Sequence, residues 1–580
     1  MSPVSRQAAR RRRILTRLVP VVVIGLVSFV VGALVAGTSA SEESVRRFVD
    51  AWARSDFEAM HDELTERATS RFPRKRFEGM YAEAARIATV DDVEPGEPES
   101  GGSAPGREII SVPVDVRTNA FGEFRGTLQV PTEDDEIAWE PHLVFPGLTA
   151  GERLDRRTEA PKRAPILARD GTPLAQGAAA TRSSPLGGAA SNVTGELGVA
   201  KGAQAAELER IGFPAGALVG TSGLEQAFQG RLAGQPGGEL LAVGRQKSAK
   251  GRVLASSEPT KGEPVRTTID PDLQEAAVLA LGDLFGGVAV LDARRGAVRA
   301  LAGIAFSSPQ PPGSVFKVVT TVAALDADLV EPNDEFPVET SAVVGGFEVA
   351  NAGDAACGGS FAQSFARSCN SVFAPLGVEV GSRRLVETAE RFGFNAPPAM
   401  FNTEATESVK PPASTIPNAI ETDTEVGVSA IGQGEVLATP LQFASVSQTI
   451  AAGGTRSPTP LVTDPELAPE AKPVKVTSGR IAATVRDLMV GVVSAGTGTA
   501  AEIPGIEVAG KTGTAELGPA PVATEEDGGG EQPPEDAWFT AFAPADNPKL
   551  AIAVMIVEAD GGGGAVAAPI AREVLADGLR

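Results

Sequence analysis

The stretch Pro311–Lys317 restricts what this chain can fold into, because it combines a helix-starting signal with two reactive side chains. It reads Pro-Pro-Gly-Ser-Val-Phe-Lys and leads into an apolar run that ends at Leu325. Pro-Pro-Gly does not continue a helix but can lead into one, so the pattern predicts a helix that begins near Ser314. Lys317 follows three residues later and is therefore expected on the same helical face as Ser314.

A serine and a lysine arranged in this way can form a nucleophile with its own base. The helix dipole favours negative charge on Ser314 Oγ. The apolar residues around Lys317 disfavour its ammonium form, so we expect a lowered pKa and an accessible neutral amine. A neutral amine beside a serine hydroxyl activates that hydroxyl for covalent catalysis. A lone Ser-x-x-Lys is weak evidence by itself, since such a pair more often lies on a solvated helix face.

Two further motifs change this interpretation. Ser368-Cys369-Asn370 is the only Ser-x-Asn of the chain, and Lys511-Thr512-Gly513 is its only Lys-Thr-Gly. The order Ser-x-x-Lys, Ser-x-Asn, Lys-Thr-Gly resembles that of class A β-lactamases and penicillin-binding proteins, although Cys369 stands where Ser-Asp-Asn has aspartate. Three unique elements in this order favour a serine acyl-enzyme site.

Other kinds of site find little support in the sequence. His61 and His142 are the only histidines, and both lie far upstream of Ser314, which argues against a Ser-His-Asp triad. No His/Cys cluster has the spacing of metal ligands, so we expect neither a metal nor a cofactor. The net charge of −22 argues against nucleic acid as a partner.

The N-terminus predicts a membrane anchor. Residues 1–17 contain six arginines and precede an uncharged run over 18–37, which is long enough to span a bilayer. Arginine before the run places the N-terminus in the cytoplasm and the rest of the chain outside. The small residues 36–40 allow the alternative of a cleaved signal peptide, but the length of the apolar run favours an uncleaved, single-pass plasma-membrane anchor.

Residues 41–150 predict a small α+β domain. Apolar residues at helical spacing begin at Val45, residues 69–88 indicate a further helix, and residues 94–106 are typical of turns. Residues 109–116 and 124–130 indicate strands. The segment Trp139–Thr149 resembles the end of the NTF2-like N-terminal domain of MecA-type penicillin-binding proteins, which implies a spacing role.

The remainder divides into a linker domain, 151–262, and a catalytic domain, 263–580. Segments at 163–175 and 220–238 resemble the linker, or dimerisation-type, domain of class B penicillin-binding proteins, which in that family is an elongated pedestal.

In the catalytic domain, Thr267–Gln274 resembles the segment with which penicillin-binding transpeptidase domains begin, with Asp270 as a helix cap. A hairpin is predicted over 287–302, an edge strand over 508–516 and a closing helix over 569–579. Residues 517–535 predict a mobile loop beside the cleft.

Together these segments resemble the class B penicillin-binding proteins of the MecA-like, actinobacterial type. No glycosyltransferase-sized domain lies between anchor and linker, and no glutamate fits the Ω-loop pattern of class A β-lactamases. The implied fold is multidomain α+β: a transmembrane helix, an NTF2-like domain, a linker domain, and a transpeptidase domain with an antiparallel sheet flanked by helices.

The resemblance implies a role for each motif residue. Ser314 attacks D-Ala-D-Ala and Lys317 is its base. Ser368 relays the proton to the leaving amine, Asn370 holds the substrate amide, and Lys511 supports Ser368. The terminal carboxylate binds to the Lys-Thr-Gly segment and the residue after it, and the oxyanion hole is formed by two backbone N–H groups; the residues concerned are Thr512, Gly513 and Thr514 for the carboxylate, and Ser314 and Thr514 for the oxyanion.

The implied function is a D,D-transpeptidase that cross-links peptidoglycan stem peptides and is acylated by β-lactams. Its partners would be a D-Ala-D-Ala donor, a diaminopimelate or lysine amine acceptor and other cell-wall synthesis proteins. Three alternatives remain: a D,D-carboxypeptidase with water as acceptor, a penicillin sensor, and a catalytically minor scaffold. The additional domains favour transpeptidation, the short cytoplasmic segment argues against a sensor, and the intact motifs argue against a scaffold.

Cys357 and Cys369 form a candidate disulfide. Both thiols are exported if the predicted topology holds, and that compartment permits oxidation. The bond would limit the freedom of the Ser-x-Asn segment, with a chain-entropy contribution of about 3 kcal/mol. The alternative is two reduced, buried cysteines that act as small apolar residues.

Overall fold

The computed structural model describes residues 39–104, 106–244, 251–406, 410–516 and 535–580. The predicted basic N-terminus and membrane helix lie outside these residues, and so do residues 517–534 of the predicted loop. Within the described ranges, every helix is too short or too polar to cross a membrane. The described residues divide into two units: one from those within 39–161, 201–217 and 235–260, the other from those within 162–200, 218–234 and 261–580.

The first unit begins with helices and continues into an antiparallel sheet. Its helices are Ala40–Ala53, Phe57–Asp62, Glu66–Arg71 and Arg74–Ala88. Its sheet strands are Val90–Pro95, Glu99–Ala104, Arg107–Thr118, Gly122–Glu133 and Glu136–Ile137. Arg107–Thr118 pairs with Gly122–Glu133 on one side and with the first two strands on the other. Alternate residues of this strand are fully buried, as period-2 patterning requires; they are Ile110, Val112, Val114 and Val116.

Two local predictions for this unit were wrong. The helix predicted over 69–88 is interrupted at Phe72 and Pro73, because proline lacks the N–H that would continue the helix and holds the preceding residue extended. The region 94–106, predicted as turns, contains the strand Glu99–Ala104. Its hydrogen bonds to Arg107–Thr118 outweigh its polar, glycine-rich composition.

The segment predicted as one linker domain contributes to both units. In the first unit it supplies the helix Gly202–Arg210 and a three-stranded sheet in the order Arg252–Ser257, Gly237–Val243, Arg153–Glu159. In the second unit it supplies short helices and strands, namely Gly188–Thr194, Gly223–Ala227, Gln229–Ala233, Ile166–Leu167, Pro173–Ala175, Leu197–Val199 and Leu218–Gly220. Ile166–Leu167 pairs with Val265–Arg266, at the start of the predicted catalytic domain.

A five-stranded antiparallel sheet forms the centre of the second unit. Its spatial order is Val298–Gly303, Gly286–Asp292, Leu550–Ala559, Glu535–Ala543 and Ala509–Glu516. The predicted hairpin over 287–302 and the predicted edge strand over 508–516 are therefore confirmed. The edge strand carries Lys511, Thr512 and Gly513, and it pairs with a strand on one side only within the described residues.

Helices cover both faces of this sheet. Pro271–Leu281, capped by Asp270, and Ala567–Gly578 pack on one face. Pro440–Ala451 packs on the other face. The remaining helices are Lys317–Asp326, Phe361–Ala366, Asn370–Val380, Ser382–Phe392, Asp423–Ala430 and Gly479–Ala495. Short strands complete the unit: Glu335–Glu339, Ser341–Val344, Phe347–Ala350, Cys357–Ser360, Thr455–Arg456 and Val474–Lys475. The prediction of a multidomain α+β chain with a helix-flanked antiparallel sheet is confirmed.

A buried ionic cluster holds the short linker elements of the second unit together. The Glu225 carboxylate accepts hydrogen bonds from Arg163 Nε and Arg182 Nε, each at 2.7 Å. Its side chain is 2% exposed. Arg182 also donates to the Ala164 carbonyl at 2.8 Å. One carboxylate thus fixes two segments that are far apart in sequence.

We expect Glu225→Gln to lower the free energy of unfolding by about 3 kcal/mol, because it removes the charge that two buried guanidinium groups bind. Glu263→Gln is the matched control, since Glu263 pairs with Arg231 at 70% exposure and is expected to cost less than about 1 kcal/mol. Calorimetric unfolding of both variants checks this expectation. Equal losses in the two variants would contradict it.

Candidate active site

Ser314 lies in the turn that leads into a helix, next to the edge strand Ala509–Glu516. The turn Gly313–Phe316 is a 3₁₀ turn, and the α-helix Lys317–Asp326 follows it directly. The predicted helix is therefore present, with a tighter first turn. Gly313 has φ +54°, and a Cβ atom there would lie 2.2 Å from the Thr514 carbonyl oxygen. Only glycine permits this approach, which holds Ser314 against the edge strand.

The Ser-x-Asn segment forms a second turn between helices Phe361–Ala366 and Asn370–Val380. Ser368 has φ +63°, a left-handed conformation that non-glycine residues rarely adopt. A disulfide joins Cys369 to Cys357, with the two Cα atoms 5.4 Å apart. Cys369 is completely buried. The covalent bond and the hydrogen bond from Cys369 N to Ser364 O, at 2.9 Å, hold the strained turn in place.

Lys317 connects the first two motifs. Its side chain is fully buried, and Nζ lies 2.9 Å from Ser314 Oγ, 2.8 Å from the Ser368 carbonyl oxygen and 2.6 Å from Asn370 Oδ1. A fourth contact, to Ser368 Oγ, measures 3.2 Å. Asn370 Nδ2 donates to the Ala350 carbonyl at 2.9 Å, which fixes the orientation of the amide.

These contacts determine what a neutral Lys317 can do. A neutral amine has two N–H donors and one lone pair. The Ser368 carbonyl and Asn370 Oδ1 can only accept, so they take both N–H bonds. The lone pair then faces the two hydroxyl groups, of which Ser314 is the nearer. The geometry thus directs the basic electron pair of Lys317 toward the proton of Ser314.

Lys511 approaches Ser368 from the other side. Its side chain is also fully buried, and Nζ donates to Ser368 Oγ at 2.8 Å and to the Thr512 carbonyl at 3.0 Å. Ser368 Oγ therefore lies between two lysine nitrogens. All three motifs are brought into one hydrogen-bonded network, although more than 140 residues separate Ser368 from Lys511.

Burial weakens the charge on both lysines. It lowers the pKa of Lys317 well below the ordinary value, with a further lowering from the charge of Lys511. Burial lowers the pKa of Lys511 to about 7. Phenylalanine rings border both ammonium groups: Phe373 lies 5.4 Å from Lys317 Nζ and Phe365 lies 5.7 Å from Lys511 Nζ. At neutral pH the arrangement favours a neutral Lys317 and leaves any positive charge on Lys511.

A cavity of about 600 Å³ opens beside this network. Most of the residues predicted for the site line this cavity, whereas Lys317 and Lys511 are fully buried and do not line it. The predicted residues that line it are Ser314, Ser368, Asn370, Thr512, Gly513 and Thr514. A somewhat larger depression of about 700 Å³ lies between Val490 and Arg572 and contains none of the motif residues. The chemistry therefore identifies the smaller cavity as the site. No cluster in the described ranges has the ligands of a metal ion.

The cavity also contains residues to which the sequence assigned no role. Arg367 and Glu516 flank the second and third motifs, so their position in the sequence was a usable signal. Thr497, Glu535 and the glycines 562–564 lie in segments without a motif. Only the fold brings these segments beside Thr512.

Three family models match successive parts of the chain. Residues 40–152 match the NTF2-like N-terminal transpeptidase domain, and residues 177–267 match the penicillin-binding protein dimerisation domain. Residues 286–576 match the penicillin binding protein transpeptidase domain, which accounts for half of the chain.

Individual proteins show the same similarity. The peptidoglycan D,D-transpeptidase PbpA of Mycolicibacterium smegmatis is 33% identical over 410 residues, covering 59% of this chain and 78% of that protein. PbpA of Mycobacterium tuberculosis is 34% identical over 357 residues, covering 58% and 67%. The solved structure of M. tuberculosis penicillin-binding protein A as a penicillin G acyl-enzyme complex matches with a TM-score of 0.55 and 27% identity, covering 72% of this chain and all of that one.

Proposed function

The chain belongs to the penicillin-binding protein transpeptidase family, and from that premise we propose that it is a peptidoglycan D,D-transpeptidase acting through an acyl-enzyme on Ser314. The resemblance inferred from the motifs is confirmed by the family models and relatives. The observation that carries the assignment to Ser314 is the 2.9 Å contact between its Oγ and the buried Lys317 Nζ.

The proposed first step transfers the donor peptide to Ser314. Lys317 accepts the hydroxyl proton while Oγ bonds to the carbonyl carbon of the penultimate D-Ala. The tetrahedral oxyanion would be bound by the backbone N–H groups of Ser314 and Thr514, which both border the cavity. The C–N bond then breaks, and the terminal D-Ala leaves as a neutral amine after it receives a proton.

Ser368 is proposed to deliver that proton. Its hydroxyl contacts both Lys317 and Lys511, so a proton lost by Ser314 can reach the leaving nitrogen through Lys317 and Ser368. Lys511 is proposed to favour negative charge on Ser368 Oγ, and Asn370 to hold the substrate amide while it orients Lys317. These roles follow from the contacts of each side chain and from the family pattern.

The terminal carboxylate of the donor is proposed to bind along the edge strand. Thr512, Gly513 and Thr514 all border the cavity. Lys511, buried behind the strand, adds a favourable positive potential. A second stem-peptide amine then attacks the acyl-enzyme and forms the cross-link.

Hydrolysis is the competing outcome, because water can replace the amine in the second step. A D,D-carboxypeptidase would use the same residues. The additional N-terminal domain favours transpeptidation, since its family model is that of an NTF2-like N-terminal transpeptidase domain and the relatives named PbpA carry the name D,D-transpeptidase. Incubation with a donor peptide and a labelled amine acceptor separates the two, because only transpeptidation yields the joined peptide.

The proposal includes a membrane anchor at residues 18–37, with the catalytic unit outside the cytoplasm. Its support is the arginine-rich segment before a twenty-residue uncharged run. A disulfide in the catalytic unit agrees with an oxidising compartment. Other cell-wall synthesis proteins are proposed partners on the basis of the family alone.

We expect a fluorescent penicillin to label the protein covalently at Ser314, and Ser314→Ala to abolish labelling, because Ser314 Oγ is the nearer of the two hydroxyl groups beside Lys317 Nζ and Ser368 Oγ is also held by Lys511. Peptide mapping of the labelled protein identifies the modified residue. Ser371→Ala is the control, since Ser371 directly follows the second motif but its hydroxyl and backbone N–H are hydrogen-bonded to the Asn351 side chain. Label found on a different serine would refute the assignment.

We expect Lys317→Met to slow acylation by about two to four powers of ten, the scale for loss of a general base. In the wild type, Lys317 must be neutral to accept the proton, so the rate should fall as pH drops through its lowered pKa. The variant should lose this acid limb. Stopped-flow acylation across pH measures both effects, and an unchanged pH profile in Lys317→Met would exclude Lys317 as the base.

For the anchor, we expect the full chain to sediment with membranes after a high-salt wash, and a chain lacking residues 1–37 to remain in the supernatant. Intact mass should show that the N-terminal segment is retained, because the apolar run is longer than a typical signal peptide core. A mature N-terminus within residues 36–41 would instead identify a cleaved signal peptide.

A further inference from the structure

Thr497 is a cavity residue that lies outside all three motifs. It belongs to the loop between the helix Gly479–Ala495 and the 3₁₀ turn Thr499–Ala501. Its hydroxyl oxygen is 2.5 Å from Thr512 Oγ1, and either atom can be the donor. Thr512 is the hydroxyl proposed above to bind the donor carboxylate, so Thr497 contacts the proposed anion-binding group directly.

The backbone around Thr497 is fixed independently of this hydroxyl contact. Thr497 N donates to the Ala366 carbonyl at 3.2 Å, close to the Ser-x-Asn turn. A Cβ atom on Gly496 would lie 2.3 Å from the same carbonyl oxygen, and one on Gly564 would lie 2.2 Å from the Thr497 carbonyl oxygen. The loop is thus enclosed on both sides by closely approaching backbone. Removal of the Thr497 hydroxyl should therefore leave the loop in position.

The number of protons at the two hydroxyl groups decides what Thr512 can offer a ligand. Each hydroxyl has a single proton to donate. If Thr512 donates to Thr497, it keeps no proton for a carboxylate. Thr497 can then turn its own proton toward the Ala366 carbonyl, 3.4 Å away. If Thr497 donates to Thr512 instead, the Thr512 proton is free to point into the cavity.

The second arrangement also makes Thr512 a stronger donor. A hydroxyl that accepts a hydrogen bond is polarised, and hydrogen bonds in a chain strengthen one another. A carboxylate in the cavity would favour the arrangement in which Thr497 donates to Thr512, because carboxylate oxygens accept hydrogen bonds and repel the lone pairs of the Thr512 hydroxyl. The chain of donors would run from Thr497 to Thr512 to the ligand.

We propose that Thr497 is a positioning residue that turns the Thr512 hydroxyl toward the carboxylate of the acyl donor, whether stem peptide or β-lactam. This inference rests on the proposed function, since it needs Thr512 to bind that carboxylate. Thr497 acts through Thr512 and takes no part in the proton transfers at Ser314.

The test compares Thr497→Val, which keeps the shape and removes the hydroxyl, with Thr497→Ser, which keeps the hydroxyl. Penicillin acylation is followed at several concentrations in the full-length protein. We expect Thr497→Val to raise the half-saturating concentration by up to about tenfold, the scale of one hydrogen bond between neutral groups, while the limiting rate changes less than about threefold. Thr497→Ser should behave as wild type.

Two comparisons separate this role from a structural one. Thr499→Val, in the 3₁₀ turn that follows this loop and outside the active-site cavity, should match the wild type. A penicillin methyl ester, which lacks the anion, should acylate wild type and Thr497→Val with equal half-saturating concentrations. Thr497→Ala provides a second hydroxyl-free variant if the valine variant proves unstable in thermal unfolding.

A double-mutant cycle gives the decisive result. Because Thr497 is proposed to act only through Thr512, Thr497→Val should have no further effect in a Thr512→Val background. Additive effects, a loss confined to the limiting rate, or an equal loss with the ester would overturn the inference while acylation of the wild type upholds the proposed function. A wild-type protein that penicillin does not acylate would overturn both.

Discussion

The burial of Lys317 is the constraint on which the rest of the site depends. A lysine with no exposed surface is costly to keep charged, and its hydrogen-bond partners must come from the protein. The Ser-x-x-Lys segment supplies only one of these partners, Ser314. The others come from the Ser-x-Asn segment, so the proposed base and nucleophile reach this arrangement only when the helices that follow the two motifs are packed together.

This dependence explains the unusual features of the second motif. Ser368 must present both its carbonyl and its hydroxyl to lysines, and a left-handed backbone conformation makes this possible. Such a conformation is unfavourable for serine and persists only where the surroundings impose it. The Cys357–Cys369 disulfide and the buried side chain of Cys369 supply that restraint immediately beside the strained residue.

The edge strand brings a second buried lysine, Lys511, and the hydroxyl groups of Thr512 and Thr514 to the same site. Among the described residues no other strand pairs with its outer side, which leaves backbone groups for a ligand. Glycines allow the neighbouring segments to approach it closely: Gly313 from the turn that contains Ser314, and Gly563 from the loop after the strand Leu550–Ala559. The substrate carboxylate and the reacting carbonyl are thus expected along one strand, a few ångströms from Ser314.

The sequence alone determined the chemical groups and their order. Unique motifs identified Ser314, Lys317, Ser368, Asn370 and Lys511, because chemistry of this kind needs specific side chains at fixed local spacing. Strand and capping signals also predicted the hairpin over 287–302 and the cap at Asp270, and the family resemblance predicted the edge strand. Where tertiary hydrogen bonding competed with composition, as at Glu99–Ala104, local patterns failed. Only the tertiary structure decided which atoms meet: the direction of the Lys317 lone pair, the position of Ser368 between two lysines, and the contact of Thr497 with Thr512. Those relations depend on packing between segments distant in sequence, and no local spacing encodes them.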